Sequence, residues 1–322
     1  MSETSSASAL PAYARIVVDK RAPFIRAILY LILRYVIKRS MKPDADILKL
    51  RAMQLRADQK YAHPAADAVM TPVDCDGVKA NWITLPGARP ERVIFYLHGG
   101  AWMFNFPRTY AAMLGRWARL LNARVLMVDY RLAPEHRYPA GANDCETAYR
   151  WLLAQGIDSK QIVIGGDSAG GNLTLTTLLR LKSANQPLPA CAVALSPFVD
   201  FTLSSPSMIT NEKIDPMFTL EAMLGLRPHY LDPQDFLNVD ASPIFGDFSG
   251  LPPIFFQSSN TEMLRDESVR AAARAHQHGV TVELELWQHL PHVFQALQKL
   301  PQADAALQSI VRFINSHTGW QA

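Results

Sequence analysis

A serine hydroxyl does no acyl chemistry alone. It needs a base to take its proton, an acid to orient that base, and donors for the charge that develops on the attacked oxygen. Residues 163–172, VIGGDSAGGN, offer the serine. Gly166-Asp167-Ser168-Ala169-Gly170 fits the G-x-S-x-G pattern of a nucleophile elbow. A β-branched run precedes it and a helical pattern follows, so Ser168 is expected at a tight strand-to-helix turn. The glycines leave room where side chains two before and two after the serine would collide. The following helix points its positive end at developing negative charge.

The donors are expected in YLHGGAWMF (96–104), where His98-Gly99-Gly100-Ala101 exposes glycine amides just past a strand. Gly99 and Gly100, with the amide of Ala169 directly after the serine, are the expected oxyanion hole. His98 reads as a brace for this loop. Trp102, Met103, Phe104 and Phe106 are apolar enough to line an acyl pocket or to be core. When such a serine belongs to a triad, an acid and then a histidine follow it in the chain. LWQHLPHVFQAL (286–297) offers His289 and His292. Pro291 keeps the chain out of helix before His292, and Val293-Phe294 opens an apolar pattern, so His292 is the expected base at a loop-to-helix entry and His289 the reserve. His276 and His278, near a helix C-terminus, read as surface residues compatible with the helix dipole. In SSNTEMLRDES (258–268), Asp266 with Glu267 and Ser268 behind it suits a helix cap. Glu262 stands on the loop with no competing structural role and is the expected acid, with Asp266 as the alternative.

These residues must be carried by alternating strands and helices. VDCDGVKANWITL reads as a strand pair turning at Asp76-Gly77. Apolar runs follow at 92–98, 124–130, 161–166, 190–196, 253–259 and 280–287, with helical patterns near 107–121, 142–155, 170–184 and 266–278, the last ending at Gly279. Strands apolar throughout and separated by helices imply a mostly parallel sheet covered on both faces. Residues 200–250, rich in Pro, Ser and Asp with one helical piece near 219–226, break that rhythm and read as an insertion over the sheet's C-terminal edge.

The chain has 322 residues, a formal net charge of +3 and 49% apolar residues. It holds a sizeable core and lacks the Lys/Arg blocks of a nucleic-acid binder. Cys75, Cys145 and Cys191 are too scattered for a disulfide framework or a zinc site, and a reducing cytoplasm is the simplest home. No secretory signal pattern is visible in the first 20 residues. In PFIRAILYLILRYVIKRS (23–40), Arg26, Tyr30, Arg34 and Lys38 share one helical face and the remainder is apolar. A helix packed across the protein's own core or active site is expected there. Membrane association through residues 24–38 is the disfavoured alternative.

HGGAW, DYRLAPEHRYPA (129–140), GDSAGGN, LPPIFFQSSNTEMLRDES and PHVF together resemble the bacterial hormone-sensitive-lipase-like carboxylesterases, a family of the α/β-hydrolase superfamily. The resemblance runs from about residue 75 onward. It implies an α/β-hydrolase fold with a mostly parallel central sheet flanked by helices under a helical cap. Residues 1–64 would supply N-terminal cap helices, and 65–322 the catalytic domain with a cap insertion near 202–235. The family's oxyanion loop is typically H-G-G-G, and Ala101 replaces its last glycine. Its acid is usually the first Asp of D-P-L-x-D, a slot filled here by Glu262. The implied activity is hydrolysis of short- to medium-chain esters through Ser168, Glu262 and His292, with no metal or cofactor and a small-molecule ester as partner. Family members are often dimers, so a homodimer is one assembly the resemblance implies. Lactone hydrolysis, amide hydrolysis or acyl transfer on the same triad are the alternatives, and a non-catalytic ligand receptor is a distant one.

Overall fold

The computed structural model describes residues 10–40 and 42–320. The first nine residues of the expected N-terminal cap thus lie outside the described residues. Nine strands, β1 (Ala14–Val17), β2 (Val69–Cys75), β3 (Val78–Thr84), β4 (Arg89–Leu97), β5 (Ala123–Val128), β6 (Ile162–Asp167), β7 (Cys191–Leu195), β8 (Ile254–Ser259) and β9 (Val282–Trp287), form one sheet. Its order is β1-β9-β8-β7-β6-β4-β5-β3-β2. Only β2 with β3 and β3 with β5 pair antiparallel. The β2–β3 hairpin turns at Asp76 (φ 55°) and Gly77 (φ 88°), both left-handed as a tight hairpin turn requires.

The central strands are buried on both faces. On β4, Val93, Phe95 and Leu97 enter one core while Ile94 and Tyr96 enter the other, the two-residue period of a pleated strand. The longer helices are α1 (Pro23–Ile32), α2 (Ile47–Tyr61), α3 (Pro107–Leu121), α4 (Ala140–Ala154), α5 (Ala169–Ser183), α6 (Leu220–Tyr230), α7 (Arg265–Gln277) and α8 (Pro301–Thr318). α4, α5 and α7 pack in the first core and α3 with α8 in the second. Two elements went unseen in the sequence. β1 is only four residues long and is held by its parallel pairing with β9, and α8 begins beyond the last motif. α2 lies in the stretch where cap helices were expected and is largely exposed.

The N-terminal helix departs from expectation. Its apolar face does not look into the protein. Arg26 donates to the carbonyls of Asp19 (3.0 Å) and His289 (3.1 Å), and Tyr30 Oη lies 3.0 Å from Thr261 Oγ1. Arg34 donates to Lys213 O (3.2 Å), and Lys38 Nζ to Glu212 O and Asp215 O, both at 2.7 Å. The polar stripe is the anchored one. Residues four apart drift by about 40° around an α-helix; the i→i+5 turn at Leu33–Ile37 underwinds the helix and offsets that drift. Leu33 is buried and Leu29 packs beside Trp287 and Phe294, but Phe24, Ile28, Leu31, Ile32 and Val36 face outward.

Candidate active site

β6 ends at Asp167 and α5 begins at Ala169, leaving Ser168 alone at the bend with φ 53° and ψ −117°. A non-glycine residue there is strained, of order 1–3 kcal/mol, and the surroundings must hold it. They do: Ser168 N donates to Leu195 O (2.9 Å), and its carbonyl accepts from Asn172 N and Phe198 N, both at 3.1 Å. The flanking glycines are sterically required. A Cβ on Gly166 would overlap the carbonyl of Gly170 and lie 2.6 Å from that of Leu97; one on Gly170 would overlap Leu97 O and crowd His98 O at 2.5 Å. Helix and strand ends therefore meet backbone to backbone.

The loop after β4 is held from below by a residue the sequence reading did not single out. Asp167, buried beside the serine, accepts from Tyr96 Oη (3.0 Å), Tyr110 Oη (2.9 Å) and Gly99 N (3.0 Å). Gly99 N also points at Tyr110 Oη (2.9 Å). The expectation that Gly99 donates to an oxyanion is therefore corrected: its amide is already spent on a buried carboxylate. Burial pushes the Asp167 carboxyl above its usual range, against the pull of those three hydrogen bonds. The loop then runs left-handed through Gly100 (φ 113°), Ala101 (φ 53°) and Trp102 (φ 58°). Among the described residues neither Gly100 nor Ala101 donates its amide to a protein acceptor. Ala169, first in α5, has no intrahelical acceptor by position. On the loop itself His98 acts as the expected brace: Nδ1 is 2.7 Å from Gly99 O and the ring stacks on Tyr130 at 4.2 Å.

His292 Nδ1 lies 2.5 Å from Glu262 Oε2, and both are buried. The other carboxylate oxygen accepts from Ser196 Oγ (2.8 Å) and Ser259 N (2.7 Å). Glu262 thus carries three donors, the environment that fixes an orienting acid. His292 does not enter a helix; Val293 is left-handed and a single 3₁₀ turn follows at Phe294–Ala296, with α8 beginning only at Pro301. His289 is exposed; its amide is held by Asn260 Oδ1 (2.9 Å). His276 is exposed against Tyr13, while His278 Nδ1 accepts from Phe248 N (2.8 Å). Asp266 is not the cap of α7, whose N-cap is Leu264; it sits in the first turn and accepts from Ser207 N (2.9 Å) and the Arg265 guanidinium.

Residues 211–218 wrap the acid loop, which no local pattern announced. Asp215 accepts from Met263 N (2.7 Å), Met217 N (2.7 Å) and Phe218 N (3.1 Å), and Asn211 Nδ2 donates to the carbonyls of Asn260 and Glu262. Burial raises the Asp215 carboxyl, against the pull of those three backbone hydrogen bonds. Phe218 meets the His292 ring edge-on at 4.9 Å. The same Phe218 lines a cavity of about 70 Å³ with Ser168, Trp102, Met103, Phe198 and Met223. Trp102 stacks on Tyr230 at 4.5 Å in its wall. Phe104 is not in that wall; it is packed in the core.

Three comparisons extend this geometry. A family model described as alpha/beta hydrolase fold matches residues 94–296. An esterase of Acinetobacter venetianus is 37% identical, covering 76% of this chain and 81% of its own. A Mycobacterium tuberculosis protein named carboxylesterase/phospholipase LipF is 32% identical over 79% of this chain and 71% of its own. A solved esterase structure from the bacterial hormone-sensitive lipase family superposes with a TM-score of 0.85 at 35% identity, covering 91% of this chain and 98% of its own.

Proposed function

The chain belongs to the bacterial hormone-sensitive-lipase-like family of α/β hydrolases and is a carboxylic ester hydrolase, and from that premise we propose that Ser168, Glu262 and His292 are its catalytic triad. The observation that carries the reading is the buried His292–Glu262 pair, at 2.5 Å, taken together with the strained elbow serine. Phe218 supports the link between them: it touches the imidazole and lines the cavity that Ser168 opens on. His292 takes the hydroxyl proton as Ser168 Oγ attacks the ester carbonyl, and the bond to the alkoxy group breaks as His292 returns that proton to the leaving alcohol. Water repeats the sequence on the acyl-enzyme and frees the acid. Gly100, Ala101 and Ala169 amides stabilise the oxyanion.

The cavity limits the acyl group. A volume of about 70 Å³ is small for a long hydrocarbon chain, so short- to medium-chain esters are preferred over longer ones. Residues 202–235, which supply Leu203, Phe218, Ala222, Met223, Leu226, Arg227 and Tyr230 to its wall, act as a cap together with the N-terminal helices up to residue 64. The three cysteines are unpaired and buried, which suits a reducing compartment. No helix among the described residues is long and apolar enough to cross a membrane. Ser168→Ala is expected to abolish ester turnover with the fold intact, and an organophosphate is expected to label Ser168. A Ser168→Ala enzyme keeping a tenth of the activity would rule the proposal out.

A further inference from the structure

The N-terminal helix is mounted inside out. Its charged and hydroxyl groups are fastened to the protein, while Phe24 is 83% exposed, with Ile28, Leu31, Ile32, Tyr35 and Val36 each more than half exposed. Those positions recur at the three- and four-residue spacing of one helical face. A face of this width left in water needs a cover. Nothing in the packing of the described residues covers it, and the anchoring stripe on the opposite side holds the helix in this orientation by the hydrogen bonds of Arg26, Tyr30, Arg34 and Lys38.

The surrounding charge says what the cover is. From Lys20 to Lys42 the chain contains no acidic residue, and Lys20, Arg39 and Lys42, none of them in the anchoring stripe, are exposed. A second copy docked on the same face would bring one basic rim against another. An anionic lipid surface satisfies both features, receiving the apolar side chains at its acyl boundary and the cations at its headgroups. We propose that residues 20–42 dock the protein flat on an anionic lipid bilayer through the outward face of α1. The helix lies on the surface and does not span it; it is ten residues long before the wide turn. Its inner side touches the acid loop through Tyr30 and Thr261, one residue before Glu262, so docking sets that side of the enzyme against the lipid.

The test is flotation of the full chain with vesicles of phosphatidylcholine alone and of phosphatidylcholine with phosphatidylglycerol, at low and high salt. The protein is expected to float with the anionic vesicles and to be released by salt. Ile28→Glu combined with Leu31→Glu is expected to lower the bound fraction at least tenfold while leaving turnover of a water-soluble ester unchanged, which reports that the variant is folded. Lys20→Gln, Arg39→Gln and Lys42→Gln are each expected to weaken partitioning about fivefold. The proposal is overturned if active enzyme ignores the anionic vesicles, if the double Glu variant binds them undiminished, or if light scattering finds a dimer that this variant dissociates.

Discussion

Replacing Glu262 by Gln probes the acid directly. In the native site Oε2 receives the His292 Nδ1 proton at 2.5 Å, and Oε1 receives Ser196 Oγ and Ser259 N. An amide has one acceptor oxygen. If that oxygen stays with the Ser196 and Ser259 donors, the NH₂ faces Nδ1 and selects the tautomer whose proton sits on Nε2, the nitrogen that must accept from serine. If it turns to His292 instead, two buried donors confront an NH₂. The analogous change in the serine protease triad lowers kcat about 10⁴-fold, and kcat is expected to fall here by about 10³–10⁴, or roughly 4–5.5 kcal/mol. Glu262→Asp withdraws the carboxylate by one methylene, opening the 2.5 Å contact by about one bond length, and misplacement on that scale costs on the order of 10². Stopped-flow and steady-state hydrolysis of a nitrophenyl ester measure both, with circular dichroism reporting the fold. Asp266→Asn serves as the comparison, since Asp266 holds Ser207 and Arg265 and is expected to alter stability more than kcat. A Glu262→Gln enzyme retaining a tenth of native kcat, beside an inactive but folded Asp266→Asn, would refute the assignment.

Gly99→Ala would drive a Cβ into the Asp167 carboxylate, which Tyr96 and Tyr110 hold in place. The donor loop must shift, and kcat is expected to fall about 10²-fold with KM little changed; an unaffected kcat would show that the loop position does not matter. Met223→Ala enlarges the cavity wall and is expected to move the acyl-length optimum in a nitrophenyl ester series toward longer chains, whereas an unchanged profile would detach this cavity from acyl binding. Glu267 is buried, and burial raises its carboxyl to about 7 against an ordinary 4.5. Because the folded group holds its proton when the unfolded one has lost it, its contribution is most favourable below pH 4.5 and declines as pH rises to about 7, by an amount on the order of 3 kcal/mol. Urea midpoints across that window are expected to decline less steeply in Glu267→Gln than in the parent, and a variant with the parent's slope would remove Glu267 from the cause.

Much of the chemistry is written locally. The elbow is legible because a strand, a serine between glycines and a helix are neighbours in the chain, and the strands and helices of the sheet show their periods in stretches of five to fifteen residues. Glu262 and His292 stand out as the proposed acid and base because each follows a strand whose end must face the same sheet edge. What the sequence could not decide was which partner claims each polar group. Gly99 looks like an oxyanion donor until Asp167 is seen taking its amide, and Asp215 looks like loop polarity until it is seen tying residues 215–218 to the acid loop. The N-terminal helix shows the limit most plainly. Periodicity reports that a helix has an apolar and a polar side, a property of one segment. Which side faces the protein depends on the carbonyls and hydroxyls waiting on distant loops, at Thr261, Glu212 and Asp215, and those are brought together only by the folded chain.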